Sequence, residues 1–523
     1  MKTIKKYLYQ SLAIVMLCAI FSCESTLDLA PEDSYGSGNF WQNEAQVRGY
    51  VIGMHASLRG AYQFAFKLGE ARGGTLIPSS GNFGTSLNWP SPIKDNDFTK
   101  DKTGISSWDG SYPRILDINL FIQKVTEECD FLSDADRKYY LAQAHGLRAL
   151  QYFWLYKTYG GVPLISTPTL LEGTIDPVNL YTPRSTPAQT LKFIKEDVNK
   201  SEELFEGRYL KGDHSMWSLA ATQMLKTDIY MWSAKVTTGD HPANKDDLKI
   251  AKSTLENIVG NFSLMDDFSK VFTEKNNKEV IFSLRFKEGE STNFMSEFIM
   301  ADNQIYGLIR DRNGELVTED ILDKRGTGLL RHEYKWEIWD VFDKEDTRRD
   351  ATFVDFYAKA DSVFQGIVTI KNFGILNSTN QRIYEGDIHL YRYAEALLMM
   401  AEIENTLGNA VAPWINQVRE RAYKDNYSDF KYTDSTFEDN EKAILRERDK
   451  EFITEGKRWH DLVRMQDANG QPLAFSADCN YRELGEPERY PVLNADERHK
   501  LLWPIDLTTM INDPKVEQTP GYE

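Results

Sequence analysis

Cysteine is scarce in this chain: four among 523 residues, two of them at positions 18 and 23. A disulfide framework of the kind that holds small secreted domains together is therefore excluded. Only Cys129 and Cys479 are left to form a bridge, and the sequence leaves their pairing open. Basic excess is missing too. The formal net charge is -18, so a nucleic-acid partner is disfavoured by repulsion from the phosphate backbone. No apolar run beyond residue 21 approaches the roughly 20 residues of a membrane-spanning helix. Catalytic signatures are also lacking: there is no G-x-S-x-G elbow, no P-loop and no paired C-x-x-C. His332-Glu333 opens a zinc-protease pattern, but Trp336 stands where the second histidine belongs. The eight histidines are scattered singly, which argues against a metal centre.

The first residues carry a targeting signal. Lys2, Lys5 and Lys6 precede an apolar stretch from Leu12 to Phe21, too short to span a bilayer and so the core of a secretory signal. It ends in Ile20-Phe21-Ser22-Cys23, which resembles a lipobox. Residues 1–22 are expected to be removed, leaving Cys23 as an acylated N-terminus that ties an otherwise soluble protein to a membrane. Loss of three lysines and no acid takes the net charge to -21.

Past the signal, 41% hydrophobic and 27% charged residues describe an ordinary globular protein with a large core. Length alone suggests about three domains, but helical repeats can run longer as one body. Helical spacing recurs in Ala144, Leu147, Leu150 and Trp154, stopped by Gly160-Gly161 and Pro163, so a long helix is expected over 136–159. Its aromatic end, Tyr152, Phe153, Trp154 and Tyr156, reads as core. Ala221, Leu225, Ile229 and Trp232, then Leu248, Ala251, Leu255 and Ile258, make a helical hairpin across the Gly239/Pro242 break. A second pair runs through Tyr391, Ala394, Leu398 and Ala401 and, after Gly408, Val411, Ile415, Val418 and Ala422. Small residues let such hairpins stack as in tetratricopeptide arrays, although the full repeat signature is absent. Glu279 to Leu284 reads as a short strand. Three stretches have neither period: 79–112, 287–330 and 466–490. Long irregular segments of this kind commonly carry function.

The densest charged pattern lies between Ile444 and Arg464, where a helix would place Glu447, Glu451 and Glu455 on one face beside Arg448, Arg458, Asp461 and Arg464. A glycosidase needs two carboxylates facing across a cleft, one of raised pKa. Acids one turn apart among arginines are better read as ion pairs.

Ile444-x-x-Glu447-Arg448-x-x-Glu451-Phe452-x-x-Glu455-Gly456-x-Arg458-x-x-Asp461-Leu462-x-Arg464 resembles the hallmark helix of the SusD/RagB family. Other blocks in family order include Pro31 to Trp41, Leu147-Arg148-Ala149 to Leu164, Asp346-Thr347-Arg348, Arg392 to Met399, Ile415 to Arg419, and Leu502-Trp503-Pro504-Ile505 to Tyr522. The resemblance implies a mostly α protein in which tetratricopeptide-like hairpins form a SusD-like scaffold, with long irregular loops and few short strands. It implies one body over 23–523, an N-terminal part to about 330 and a C-terminal family region from 331. It further implies a non-enzymatic, surface-exposed outer-membrane lipoprotein, anchored at Cys23, that captures oligosaccharides or polysaccharide fragments for a SusC-like TonB-dependent transporter. The alternative within the family is a RagB-like oligopeptide binder; outside it, a secreted glycoside hydrolase. No cofactor is implied, and structural calcium is left open.

The matching blocks are scaffold and bring no ligand residues with them. Sugar rings need flat apolar platforms and planar polar groups for their hydroxyls. On those grounds Trp89 and Trp108 are the first candidates, backed by Phe83 and Tyr306, with Asn82, Asn88, Asp109 and Arg310 as hydrogen-bonding partners. Aromatic loops favour sugar over peptide.

Overall fold

In the computed structural model, residues 40–78, 81–83, 87, 91–108, 110–168, 177–208 and 212–522 are described. The signal, Cys23, Asn88, Trp89 and Asp109 lie outside them. The longer helices are α1 (Glu44–Glu70), α2 (Ser111–Glu127), α3 (Asp134–Tyr159), α4 (Pro187–Phe205), α5 (Leu219–Lys235), α6 (Asp247–Glu256), α7 (Tyr393–Thr406), α8 (Ala412–Tyr423), α9 (Phe437–Phe452) and α10 (Arg458–Arg464). Five of the ten, α1, α3, α4, α5 and α9, begin at a side chain that caps them. Ser133 caps α3 by accepting from Asp136 N, with Asp134 and Asp136 in its first turn. Thr186 and Gln189 form a reciprocal capping box on α4, which has Pro187 at its start.

Antiparallel neighbours α3/α4, α5/α6 and α7/α8 pack as hairpins, and α4 against α5 and α6 against α7 join them into a tetratricopeptide-like array. The periodic residues face the core: Ala144, Leu147, Leu150, Ala221, Leu225, Ile229, Ala394 and Leu398 are all essentially inaccessible. At Gly146 the array closes so tightly that a Cβ would meet the Trp217 indole at 2.0 Å. One core cluster runs from Trp41 to Tyr522. Of the aromatic end of α3, Tyr152, Phe153 and Tyr156 are buried, and Trp154 is half-buried against the same core.

The strands are short. β1 (Val280–Leu284) pairs antiparallel with β7 (Ile388–Arg392); β2 (Ile309–Arg310), β3 (Phe353–Ala358) and β4 (Phe364–Thr369) form an antiparallel sheet in that order; β5 (Ile375–Leu376) pairs with β6 (Arg382–Ile383). The β2–β3–β4 sheet has its own small core of Met300, Ile305, Ile309, Val317, Phe356 and Val368. Cys129 and Cys479 are both buried and both free. No helix among the described residues is long and apolar enough to cross a membrane.

The expected continuous helix from Ile444 to Arg464 is instead two. α9 stops at Phe452, Thr454 takes a left-handed φ of 66°, and α10 begins at Arg458. The cause is Glu70, at the far end of α1, whose carboxylate accepts from Thr454 N at 3.2 Å and Gly456 N at 2.9 Å. Burial raises the Glu70 pKa, and Tyr334 O–H donates to the same carboxyl at 2.7 Å.

Candidate functional site

Glu455 therefore leaves the helical face it was expected to share, and the acids of the motif pair mostly with residues outside it. Glu451 Oε1 accepts from Arg392 Nη1 and Arg421 Nη2, each at 2.5 Å, and Oε2 from Arg348 Nη1 at 2.9 Å. Glu455 takes Arg392 through Nε and Nη2, both at 2.9 Å, and Lys371 Nζ at 2.6 Å. Glu447 holds Arg348 at 2.7 Å and Arg419 at 2.9 Å. The arginines within the motif turn elsewhere: Arg448 to Asp461, Arg464 to Glu402, Arg458 to Asp449. All of these groups except Arg419 are buried. Burial by itself would raise the Glu451 carboxyl, yet Arg421, Arg392 and Arg348 hold it well below the ordinary range; Glu455 is likewise lowered to about 2 by Arg392 and Lys371.

This is a brace, and its titration has a sign. A carboxylate whose folded pKa is depressed stabilises the fold above its unfolded value near 4.5 and loses that contribution as pH falls toward the folded value. Asp346 and Glu402 are depressed as well, whereas Glu70, Glu441 and Asp449 are raised by burial and act in the opposite sense. The lowered groups sit in the densest part of the network, so the melting temperature is expected to drop steeply between about pH 4.5 and pH 2. Melts at half-unit steps check this, and Glu455→Gln should flatten the slope; a flat wild-type profile would contradict it. Each of these three raised acids is held by protein partners. Glu70 is enclosed by Tyr334, Thr454 and Gly456, Glu441 by Lys235, Asn405 and Gln466, and Asp449 by Arg458 and Tyr481. No group of three or more potential metal ligands occurs among the described residues.

The small sheet presents different chemistry. Trp336 and Trp339, one turn apart around the short helix Glu337–Asp340, are half-buried beside Phe364 of β4 and Tyr357 of β3. Trp339 and Phe364 stack at 5.5 Å with rings 16° apart, and the Arg349 guanidinium lies 4.5 Å over Trp339. Trp336 meets Phe364 at 6.4 Å and 65°, with Arg482 5.4 Å from its ring. Arg482 and Arg489 are fixed by buried Glu337, at 2.8 and 2.9 Å. Both indole N–H groups have no partner among the described residues.

Four of the expected ligand residues lie against this sheet, with Phe83 and Tyr306 on its Phe356 side, opposite Phe364 and Tyr357. Asn82 N donates to Glu333 Oε2 at 2.8 Å, and Asn82 O accepts from Gln365 Nε2 at 3.1 Å, so the 81–83 segment is strapped over β4. Phe83 packs edge-on to Phe356 at 6.3 Å. Tyr306 joins the same small core with Lys324 Nζ 5.1 Å from its ring. Arg310, on β2, donates to the carbonyls of Lys359 at 3.0 Å and Gly314 at 2.8 Å. Trp108 does not join them: it packs on the main core, edge-on to Tyr159 at 4.8 Å and to Tyr112 at 5.8 Å. Trp336, Trp339, Phe364 and Tyr357 were missing from the expected set. Two tryptophans three positions apart, followed by a β-prone pair of segments, were the signal available.

Gly366 makes the strap possible, since a Cβ there would lie 3.1 Å from the Phe83 ring and 3.3 Å from Asn82 Nδ2. Gly366→Val is expected to push the 81–83 segment off the sheet, weakening ligand binding severalfold while moving the melting temperature by only a few degrees. Titration and melting of the same sample separate the two effects.

Comparison with known proteins places this architecture. The family model described as the SusD family matches residues 259–522, and one described as starch-binding associating with outer membrane matches residues 72–224. A SusD superfamily protein from Bacteroides fragilis is 40% identical, with a TM-score of 0.85 over 92% of this chain and 100% of that one. B. fragilis NanU is 32% identical, with a TM-score of 0.80 over 95% of this chain and all of its own. The starch-binding protein SusD of Bacteroides thetaiotaomicron is 22% identical over 88% of this chain and 90% of its own length. On the match across its C-terminal half and the identity it shares with structures of the same architecture along nearly its whole described length, this chain belongs to the SusD family.

Proposed function

We propose that this protein is a surface nutrient-binding lipoprotein that captures oligosaccharides on the aromatic face of the β2–β3–β4 sheet and delivers them to a SusC-like TonB-dependent transporter. The observation that carries the reading is the pair of half-buried aromatics Trp336 and Phe364 on one face of that sheet, beside the Arg482 and Arg349 guanidiniums, with Phe83 and Tyr306 on its other face, on a scaffold shared with a starch-binding relative. Trp89 and Asn88, close in sequence to the Asn82–Phe83 strap, are assigned to the same site. A binding role without turnover is supported by the acids of the family motif, which are buried in ion pairs with arginines.

The outer-membrane description of the matching family model supports the location, and Cys23 the anchor. Cys23→Ser is expected to move the protein from the membrane fraction to the soluble fraction and to abolish incorporation of labelled palmitate; an unchanged distribution would remove the anchor from the proposal.

The deciding experiment is calorimetric titration of residues 24–523 against neutral and acidic oligosaccharides and a mixed peptide pool, with and without EDTA. Saturable heat with a glycan, no product on prolonged incubation and no effect of EDTA are expected. Heat with peptides alone would replace the glycan with an oligopeptide in the same scaffold, and released product would overturn the binding-only reading.

A further inference from the structure

A groove of about 580 Å³ runs along the N-terminal half of α1, between it, α3 and the segment 213–216. Its size falls in the range of small-molecule sites. It is separate from the aromatic face. That face meets α1 at Glu70, which accepts from Tyr334, whereas the groove is lined by Arg48 and Ile52. The groove residue of α1 nearest Glu70 is Arg59, eleven residues or roughly 17 Å of helix away.

The lining is charged but balanced. Arg48, Arg59 and Arg285 face Glu44, Asp213 and Glu290, with Arg59 2.6 Å from Glu290 and Arg285 3.5 Å from Asp213. A strongly anionic or cationic ligand would meet as much repulsion as attraction here. Hydroxyl groups, which donate and accept, match alternating guanidinium and carboxylate groups well. Tyr139 and Ile52, the latter 48% exposed, add apolar surface for the C–H faces of a ring. At the floor, Gln143 is fully buried with neither amide atom partnered among the described residues. Buried amides are ordinarily bonded, and this one lies beneath the groove without a partner among the described residues.

We propose that this groove is a second ligand site, taking a short neutral oligosaccharide independently of the aromatic face. The test uses residues 24–523 carrying Trp336→Ala and Tyr306→Ala, which disable the aromatic face, titrated with maltotriose, laminaritriose, cellotriose, xylotriose and trigalacturonate. At least one neutral trisaccharide is expected to bind at one per chain, and adding Ile52→Trp, which fills the groove from its mouth, should weaken it tenfold or more. Should Ile52→Trp lower the melting temperature, Arg48→Ala at an exposed position takes its place with the same expected loss. Absence of neutral-sugar binding in the double variant overturns the proposal, as does binding indifferent to the groove substitution or a preference for trigalacturonate. Failure of the aromatic face is read separately, from an unchanged affinity between wild type and the double variant.

Discussion

Replacing Glu451 with alanine is expected to destabilise the protein by about 3–5 kcal/mol, the cost of removing one partner from a buried ion pair, and to lower its melting temperature by several degrees. Three guanidiniums from three separate elements converge on this one carboxylate: Arg348 from the short helix Thr347–Thr352, Arg392 at the end of β7 and Arg421 on α8. None of the three side chains is more than 4% exposed, so none can turn to water when the acid is gone. Arg348 keeps Asp346 and Glu447, and Arg392 keeps Glu279 and Glu455, whereas Arg421 keeps only a 3.4 Å contact to Glu279. Arg421 is thus the cation left most exposed to the loss, and an added Arg421→Met should recover part of the stability. Glu438→Ala is the control: its pair with Lys442 is about a third exposed, and removing it should cost under about 1 kcal/mol. Equal losses for Glu451 and Glu438 would show that the network does not brace the fold.

That network marks the boundary of what the sequence discloses. Periodicity reports which face of a helix is buried, and Ala144, Leu147, Ala221, Leu225 and Leu398 were placed correctly because burial of a stripe needs only local spacing. Partner choice is not local. Glu451 and Arg348 are 103 positions apart, and Glu70, which ends the motif helix, lies 384 positions before the Thr454 amide it accepts from. Gly456 hinted at a stop, but a glycine in the middle of a charged helical pattern does not say what holds the turn. The candidate site was legible to the same extent. Aromatics in irregular stretches led to Phe83, Asn82, Tyr306 and Arg310, which the fold gathers on one small sheet. β3 and β4 carry no such local signal, nor do Phe364 and Tyr357 within them. In the sequence Trp336 stands out only as the residue that spoils a metal motif. Trp108, equally aromatic and equally embedded in a polar stretch, packs on the main core because Tyr159 and Tyr112 are there to receive it.

The two tryptophans of the aromatic face should separate binding from stability. Trp339 has two face-on neighbours, Phe364 at 5.5 Å and Arg349 at 4.5 Å, so its ring is already engaged within the protein. Trp336 has one, Arg482 at 5.4 Å, and meets Phe364 at a steep angle. A sugar ring stacks on a free aromatic face, and Trp336 supplies one where Trp339 does not. Trp336→Ala is therefore expected to raise the Kd for the cognate oligosaccharide roughly thirtyfold, about 2 kcal/mol and typical of a central aromatic contact, with a small change in melting temperature. Trp339→Ala is expected to do the reverse: a loss of stability of about 1–3 kcal/mol from the vacated packing and a modest change in affinity. Trp336→Phe should retain most of the binding, since it keeps a flat ring while removing an indole N–H that has no partner among the described residues. If Trp336→Phe binds as weakly as Trp336→Ala, the full width of the indole is what the ligand covers; if neither substitution changes the Kd, the aromatic face is not the binding surface.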